Sequence, residues 1–190
     1  MKHRIRASIR KRRESLSPAE AMVKSKRICA QLTGSEGFAR ANRILFYLPI
    51  RNEVHTEPAI RRAWLLGKHL AAPRIESGRL VPRILLPRSL KVGYFGILEP
   101  SGTPILPRSQ IDMVVVPGIA FDLHGGRVGY GKGYYDAFLK KVPRAVKVAI
   151  AYDFQVVPHF RKEPHDIFVD VIITEKRIID CRKLRGPGCC

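Results

Sequence analysis

Met113-Val114-Val115-Val116-Pro117-Gly118-Ile119-Ala120-Phe121-Asp122 leads into Leu123-His124-Gly125-Gly126-Arg127-Val128-Gly129-Tyr130-Gly131-Lys132-Gly133-Tyr134-Tyr135-Asp136, and the order of residue types along this stretch decides the fold. Its first four residues are apolar without alternation, which reads as a strand covered on both faces, as in a parallel sheet. A glycine-rich turn follows, then a helix from about Tyr134 to Lys141 and a strand at Val146 to Ala151. Strand, loop, helix and strand in that order form the unit of a three-layer α/β fold, with a mostly parallel central sheet flanked by helices.

Reading outward gives the same fold. Ile44 to Leu48 is a second fully apolar strand, stopped by Pro49, and Val169 to Thr174 is a last one. Ser17-Pro18-Ala19-Glu20 combines a capping Ser, a first-turn Pro and a Glu able to reach back, so a helix begins there. Met22, Cys29 and Leu32 give it an apolar edge, and Gly34 and Gly37 end it. Thr56 and Pro58 open a helix through Ile60, Trp64 and Leu65 to Gly67, followed by a short strand from His69 to Ala72 ending at Pro73. Residues 74–112, punctuated by Pro and Gly, are expected to form an edge hairpin or an irregular excursion. A single α/β domain over residues 1–175 is expected, with a basic, flexible tail over 176–190.

The 190 residues carry 35 Lys plus Arg against 16 Asp plus Glu, a net charge of +19, and 45% are hydrophobic. That apolar share supports a packed core and excludes wholesale disorder. The longest apolar runs, Ile44 to Ile50 and Met113 to Phe121, fall short of the roughly 18 residues of a membrane-spanning helix. The expectation is a soluble, cytoplasmic monomer. Cys29, Cys181, Cys189 and Cys190 show neither disulfide-framework nor zinc-ligand spacing, which fits a reducing compartment.

The positive charge calls for anionic partners without choosing among nucleic acid, nucleotide phosphates and polycarboxylates. Its distribution is more informative. The first thirteen residues hold seven Lys or Arg and no acid. Acid-free and Arg-rich, this segment could be a cleaved transit peptide, but Ile5 and Ile9 recur at helical spacing, with Leu16 continuing the stripe, as in a short helix docked on the core. Lys2, Arg6 and Arg10 then share a second face, read either as a phosphate clamp or as a solvated face.

The glycine loop sits where ligands bind in open α/β sheets, at the carboxyl end of a strand and the start of a helix. Gly126 to Lys132 matches part of a Walker A loop, but Gly133 stands where the Mg²⁺-binding Ser or Thr is needed, so the chain is not a P-loop NTPase. If the loop holds a triphosphate, Mg²⁺ needs carboxylates from elsewhere. Asp136 and Asp170 are the candidates, with a helix acid that complements the dipole as the lesser reading of Asp136. Glu53, just beyond the first strand, reads either as an acid that hydrogen-bonds a polar ring or as an exposed loop residue.

Taken together, several motifs resemble the 5-formyltetrahydrofolate cyclo-ligase (methenyltetrahydrofolate synthetase) family. They are Lys2-x-x-x-Arg6, Tyr47-Leu48-Pro49 with Glu53-Val54-x-Thr56, Phe95-Gly96-Ile97-Leu98-Glu99-Pro100, Pro117-Gly118-x-Ala120-Phe121-Asp122, Arg127 through Asp136, and Asp166-x-x-x-Asp170-x-Ile172-Ile173-Thr174. The resemblance runs from Lys2 to about Thr174, and the glycine block with Tyr-Tyr-Asp is its most specific part. It implies ATP-dependent, Mg²⁺-dependent conversion of 5-formyltetrahydrofolate to 5,10-methenyltetrahydrofolate, with ADP and phosphate released.

It also implies roles for individual residues. Lys2, Arg6, Arg127, Val128, Gly129, Tyr130, Gly131, Lys132, Gly133, Tyr134 and Tyr135 would bind ATP, with Lys132 and Tyr134 catalytic. Leu48, Glu53, Tyr130, Gly131, Lys132, Gly133 and Tyr134 would line the folate site, and Asp136 and Asp170 would hold Mg²⁺. The sequence departs from the commonest family pattern at Ala137, often Arg, and at Lys132, often Gly. Surplus charge would attract polyglutamylated folate. Two rivals remain: an ATP-using paralogue with another substrate, and a basic nucleic-acid-binding protein whose only support is the net charge.

Overall fold

The computed structural model describes residues 2–92, 98–160, 163 and 166–185. Helix α1 (Lys2–Glu14) is followed by α2 (Pro18–Thr33), α3 (Glu36–Arg40), β1 (Arg43–Leu45) and α4 (Glu57–Leu65). A hairpin of β2 (His69–Glu76) and β3 (Arg79–Ile84) comes next, then the short strands β4 (Leu90–Val92) and β5 (Leu98–Pro100). The second half holds β6 (Met113–Val116), the ribbon of β7 (Ala120–Phe121) and β8 (Arg127–Val128), α5 (Tyr134–Leu139) and β9 (Val146–Ile150). It ends with β10 (Val171–Ile173), β11 (Ile178–Asp180) and α6 (Cys181–Leu184).

Seven strands form the main sheet in the order β11-β10-β9-β6-β1-β2-β3. The five from β10 to β2 are mutually parallel, and an antiparallel strand closes each edge, β11 on β10 and β3 on β2. Pleating sorts alternate residues of each strand to opposite faces. Ile44, Leu70, Met113, Val115, Val148 and Ile150 point into the layer of α2, α3 and α4, where Ile28, Leu32, Phe38 and Ala63 meet them. Leu45, Ala71, Val114, Val116 and Ala149 face Phe138 and Leu139 of α5, together with Ile179 and Cys181. Each fully buried large side chain contributes about 1.5–3 kcal/mol by leaving water. This is the expected three-layer α/β architecture, and no helix is long and apolar enough to cross a membrane among the described residues.

Local expectations fare unevenly. The capping box at Ser17 and Glu20 forms, with the Ser17 hydroxyl accepting from the Glu20 amide. Met22 is 36% exposed and leaves the apolar edge of α2 to Ala21, Ile28, Cys29 and Leu32. β1 ends at Leu45 rather than Leu48, although the Phe46 amide still donates to Ala71 O at 2.9 Å. Pro73 does not stop β2. It lies directly opposite Pro82 in the antiparallel hairpin, so two residues without N–H groups share one pair position that needs no donor. α5 is shorter than predicted and stops at Leu139. The excursion resolves as the β2–β3 edge hairpin, turned at Ser77 and Gly78 with φ of 46° and 71°, plus the separate β4–β5 pair.

The expected flexible tail is corrected for residues 178–184: β11 completes the sheet, and Ile179 and Cys181 are buried. Its apolar Ile-Ile pair lies inside a basic run, and that run drew the tail reading. Phe95, Gly96 and Ile97 of the family stretch and the Cys189-Cys190 end lie outside the described residues.

Candidate active site

Two loops leave the carboxyl ends of neighbouring parallel strands, one after β1 and one after β6 and its ribbon, and α1 packs across both. The loop after β1 turns at Arg51 and Asn52, with φ of 45° and 55°. Left-handed backbone is disfavoured for residues with a Cβ, so something must hold this turn. Arg13 of α1 does: its Nε donates to Arg51 O at 3.1 Å, and its Nη2 donates to Ile50 O at 3.3 Å and also to Arg51 O. The turn sends Glu53 inward, where it is 5% exposed, and its Oε2 accepts from the Ile50 amide at 3.1 Å.

The glycine loop reaches the same carboxylate. The Tyr130 hydroxyl donates to Glu53 Oε1 at 2.6 Å and accepts from Arg13 Nη2 at 2.9 Å. Burial raises the Glu53 carboxyl above its ordinary range, opposed by the Tyr130 hydrogen bond, the Arg13 charge and the Ile50 amide. Glu53 is therefore a buried acid inside a polar network, and its reading as an exposed loop residue falls.

The predicted basic face of α1 runs along the glycine loop. Arg6 Nε donates to Gly129 O at 2.9 Å, and the Arg10 guanidinium lies 5.6 Å from the Tyr130 ring centre. Lys2 pairs with Asp166 at 2.7 Å and Glu163 at 3.1 Å; burial alone would lower its pKa, but these acids raise it and keep it charged. All three basic residues are half-buried, so the solvated-face reading does not hold. Leu48 is half-buried against the α2–α4 core.

Within the loop, Gly131 and Gly133 take φ of 95° and 70°, which a side chain at either position would strain. Lys132 between them is exposed, with no ion pair among the described residues. Val128 is buried beside Ile9, Ile119 and Phe160. Arg127 is turned inward, with its Nη2 2.8 Å from Asp136 Oδ2 and its Nη1 donating to Pro117 O at 3.3 Å. Tyr134 points away from Glu53, lining a cavity of about 130 Å³ with Arg79, Leu80, Arg108 and Phe138. The two expected folate aromatics, Tyr130 and Tyr134, thus face different sides of the loop.

Asp136 and Asp170 are not brought onto a common partner. Asp136 Oδ1 accepts from the Ile167 amide at 3.5 Å and its other oxygen meets Arg127. Asp170 accepts from the Lys147 amide at 2.8 Å and lies 3.5 Å from Arg185, at the amino-terminal side of β9 and β10. No cluster of three or more His, Cys, Asp or Glu able to hold a metal occurs among the described residues. Burial pushes the Cys29 thiol up to about 11 and that of Cys181 up to about 12, so neither is a nucleophilic thiolate near neutral pH.

Sequence reasoning missed Arg13. Arg13 falls four residues after Ile9 on the very stripe of Ile5, Ile9 and Leu16, and a cation inside an apolar stripe was the available signal. Tyr135 carries a buried hydroxyl without a hydrogen-bond partner.

Comparison with known proteins gives a consistent picture. Residues 1–175 match the 5-formyltetrahydrofolate cyclo-ligase family. A 5-formyltetrahydrofolate cyclo-ligase of Mus musculus is 27% identical, covering 92% of this chain and 93% of its own, and one of Escherichia coli is 28% identical, covering 90% and 98%. The NMR structure of an Aquifex aeolicus 5,10-methenyltetrahydrofolate synthetase superposes with a TM-score of 0.88 at 35% identity, covering 97% of this chain and 95% of that one.

Proposed function

The chain belongs to the 5-formyltetrahydrofolate cyclo-ligase family, and from that membership and the geometry around Glu53 we propose that it converts 5-formyltetrahydrofolate and ATP to 5,10-methenyltetrahydrofolate, ADP and phosphate. The formyl oxygen attacks the γ-phosphorus of ATP and ADP leaves. N10 then attacks the activated formyl carbon and releases its proton to solvent, and the C–O bond breaks as phosphate departs with the electron pair. An amide-like oxygen leaves poorly until phosphorylated, and phosphoryl transfer asks the protein mainly for positioning and charge neutralisation.

The observation that carries this reading is the 2.6 Å bond from Tyr130 to Glu53. It joins the acid that would accept N–H groups of the reduced pterin to the loop that would hold the triphosphate, so both substrates meet at one connected unit. Lys132, exposed and without an acidic partner among the described residues, supplies a cation for the transferring phosphoryl group. Arg6, tied to Gly129, brings a second positive charge to the loop. Reaction needs no nucleophilic Ser or Cys.

Mg²⁺ bound with ATP would offset phosphate charge. Such an ion takes one or two carboxylates beside phosphate oxygens and water. Asp136, in the first turn after the loop, would be one ligand on release from Arg127, whereas Asp170, bonded to the Lys147 amide and near Arg185, lies at the amino-terminal side of β9 and β10, away from the loop. As finer parts of the proposal, the protein acts as a cytoplasmic monomer, and its surplus of basic residues favours polyglutamylated substrate, which a lower KM than for the monoglutamate would support. The nucleic-acid reading is not favoured, because the basic face of α1 is half-buried against the loop.

Mixing purified protein with Mg-ATP and 5-formyltetrahydrofolate is expected to produce the near-ultraviolet absorbance of the methenyl product. Folded protein that gives no such signal sinks the substrate assignment.

A further inference from the structure

Arg13 is 1% exposed, less than Arg127 at 7% or Lys147 at 8%. Its guanidinium meets Glu53 by three routes. Through Ile50 O and Arg51 O it holds the left-handed turn that aims the carboxylate. Through Tyr130 it orients the hydroxyl that donates to Glu53. Its remaining nitrogen, Nη1, is buried without a hydrogen-bond partner and lies 3.9 Å from Glu53 Oε1, the one acid within ion-pair range of Arg13 among the described residues.

We propose that Arg13 is a positioning residue for the folate substrate, setting both the direction and the charge of Glu53 so that this carboxylate accepts an N–H of the substrate ring instead of holding a proton itself. The proposal rests on the cyclo-ligase reading above. Five groups face Glu53: Arg13 from α1, Tyr47 from the segment after β1, Tyr130 from the glycine loop, Tyr135 from α5 and Tyr152 from the segment after β9. Burial raises all four phenols, so they remain neutral and Arg13 alone brings a charge. Lysine cannot replace it fully, since a single ammonium does not span two carbonyls and a hydroxyl as the planar fork does.

The sign of the pH effect follows from the burial of Glu53. Burial lifts this carboxyl above its ordinary 4.5, so kcat/KM for folate falls as pH drops through the raised value and the carboxylate is lost. Removing the nearby cation lifts the value further. In Arg13→Met the acid limb of kcat/KM for 5-formyltetrahydrofolate is expected to move to higher pH by about one unit or more, the scale of a nearby opposite charge. KM for ATP should change less than about threefold. Arg13→Lys is expected to return the limb toward its wild-type position while leaving KM for folate several-fold raised.

An unmoved acid limb, or equal rises in both KM values, overturns the proposal. Thermal unfolding supplies a readout independent of turnover. Arg13→Met leaves a buried carboxylate unpaired, so Arg13→Met/Glu53→Gln should melt higher than Arg13→Met alone. Simple additivity of the two substitutions would overturn the coupling. Wild-type protein that binds no folate and turns nothing over sinks the cyclo-ligase reading, while the melting cycle still decides whether Arg13 and Glu53 act together.

Discussion

The two ends of the parallel sheet contrast sharply. At the amino-terminal end lies the larger opening, a groove of about 390 Å³ lined by Arg43, Trp64, His69, Leu85, Leu86 and Pro107 among others. At the carboxyl-terminal end Tyr130, Arg13 and Glu53 fill the space with their own side chains. Open volume alone would choose the groove. Chemistry chooses the filled end, because it holds a raised carboxyl, two buried polar atoms without partners at Arg13 Nη1 and Tyr135 Oη, and a glycine loop that a ligand can approach closely. Buried polar atoms without partners are rare, and a polar ligand is one way in which their bonding is completed. Empty apolar space at an edge needs no such completion.

Substitutions at the two ends are the direct way to break this contrast. Lys132→Ala, at an exposed position on the filled end, is expected to lower kcat by about a hundredfold or more with an unchanged melting temperature. A loss of stability instead would make Lys132 a structural residue. Comparing Asp136→Asn with Asp170→Asn sharpens the same line within one family motif. The first is expected to lower turnover by tenfold or more and raise the Mg²⁺ concentration needed for half-maximal rate. The second should alter turnover less than about threefold while lowering the melting temperature, since it removes a charged acceptor from the Lys147 amide and Arg185. Equal effects on Mg²⁺ dependence would restore the expectation that both aspartates hold the ion. Smallest of all, Leu86→Ser in the groove, at a side chain already half exposed, should change kcat/KM less than about twofold in the same absorbance assay.

The two aspartates also show what a motif leaves unsaid about surroundings. Both belong to stretches that resemble the family, and one acid after another reads as a ligand pair. Yet Asp170 enters β10 beside Lys147 of β9, and this parallel register hands its carboxylate to a backbone amide. Arg13 is the opposite case. Its stripe was visible from Ile5, Ile9 and Leu16, but a cation on that stripe makes sense only when a buried acid waits opposite, and Glu53 lies far along the chain. Pro73 follows the same logic, ending a strand by local rules and continuing one when its partner across the ladder is also proline.

What the chain encodes locally is legible without coordinates: apolar runs too uniform for a one-sided sheet, the Ser17 capping box, and glycines where the backbone turns left-handed. These depend on dihedral preferences and on a repeat of two or 3.6 residues, both properties of short segments. Which acid is buried, which cation neutralises it and which partners each carboxylate finds depend on contacts between residues tens of positions apart, such as Tyr130 with Glu53 across 77 positions. Electrostatic environment is set by burial and by neighbours in space, and only the packed tertiary structure supplies those.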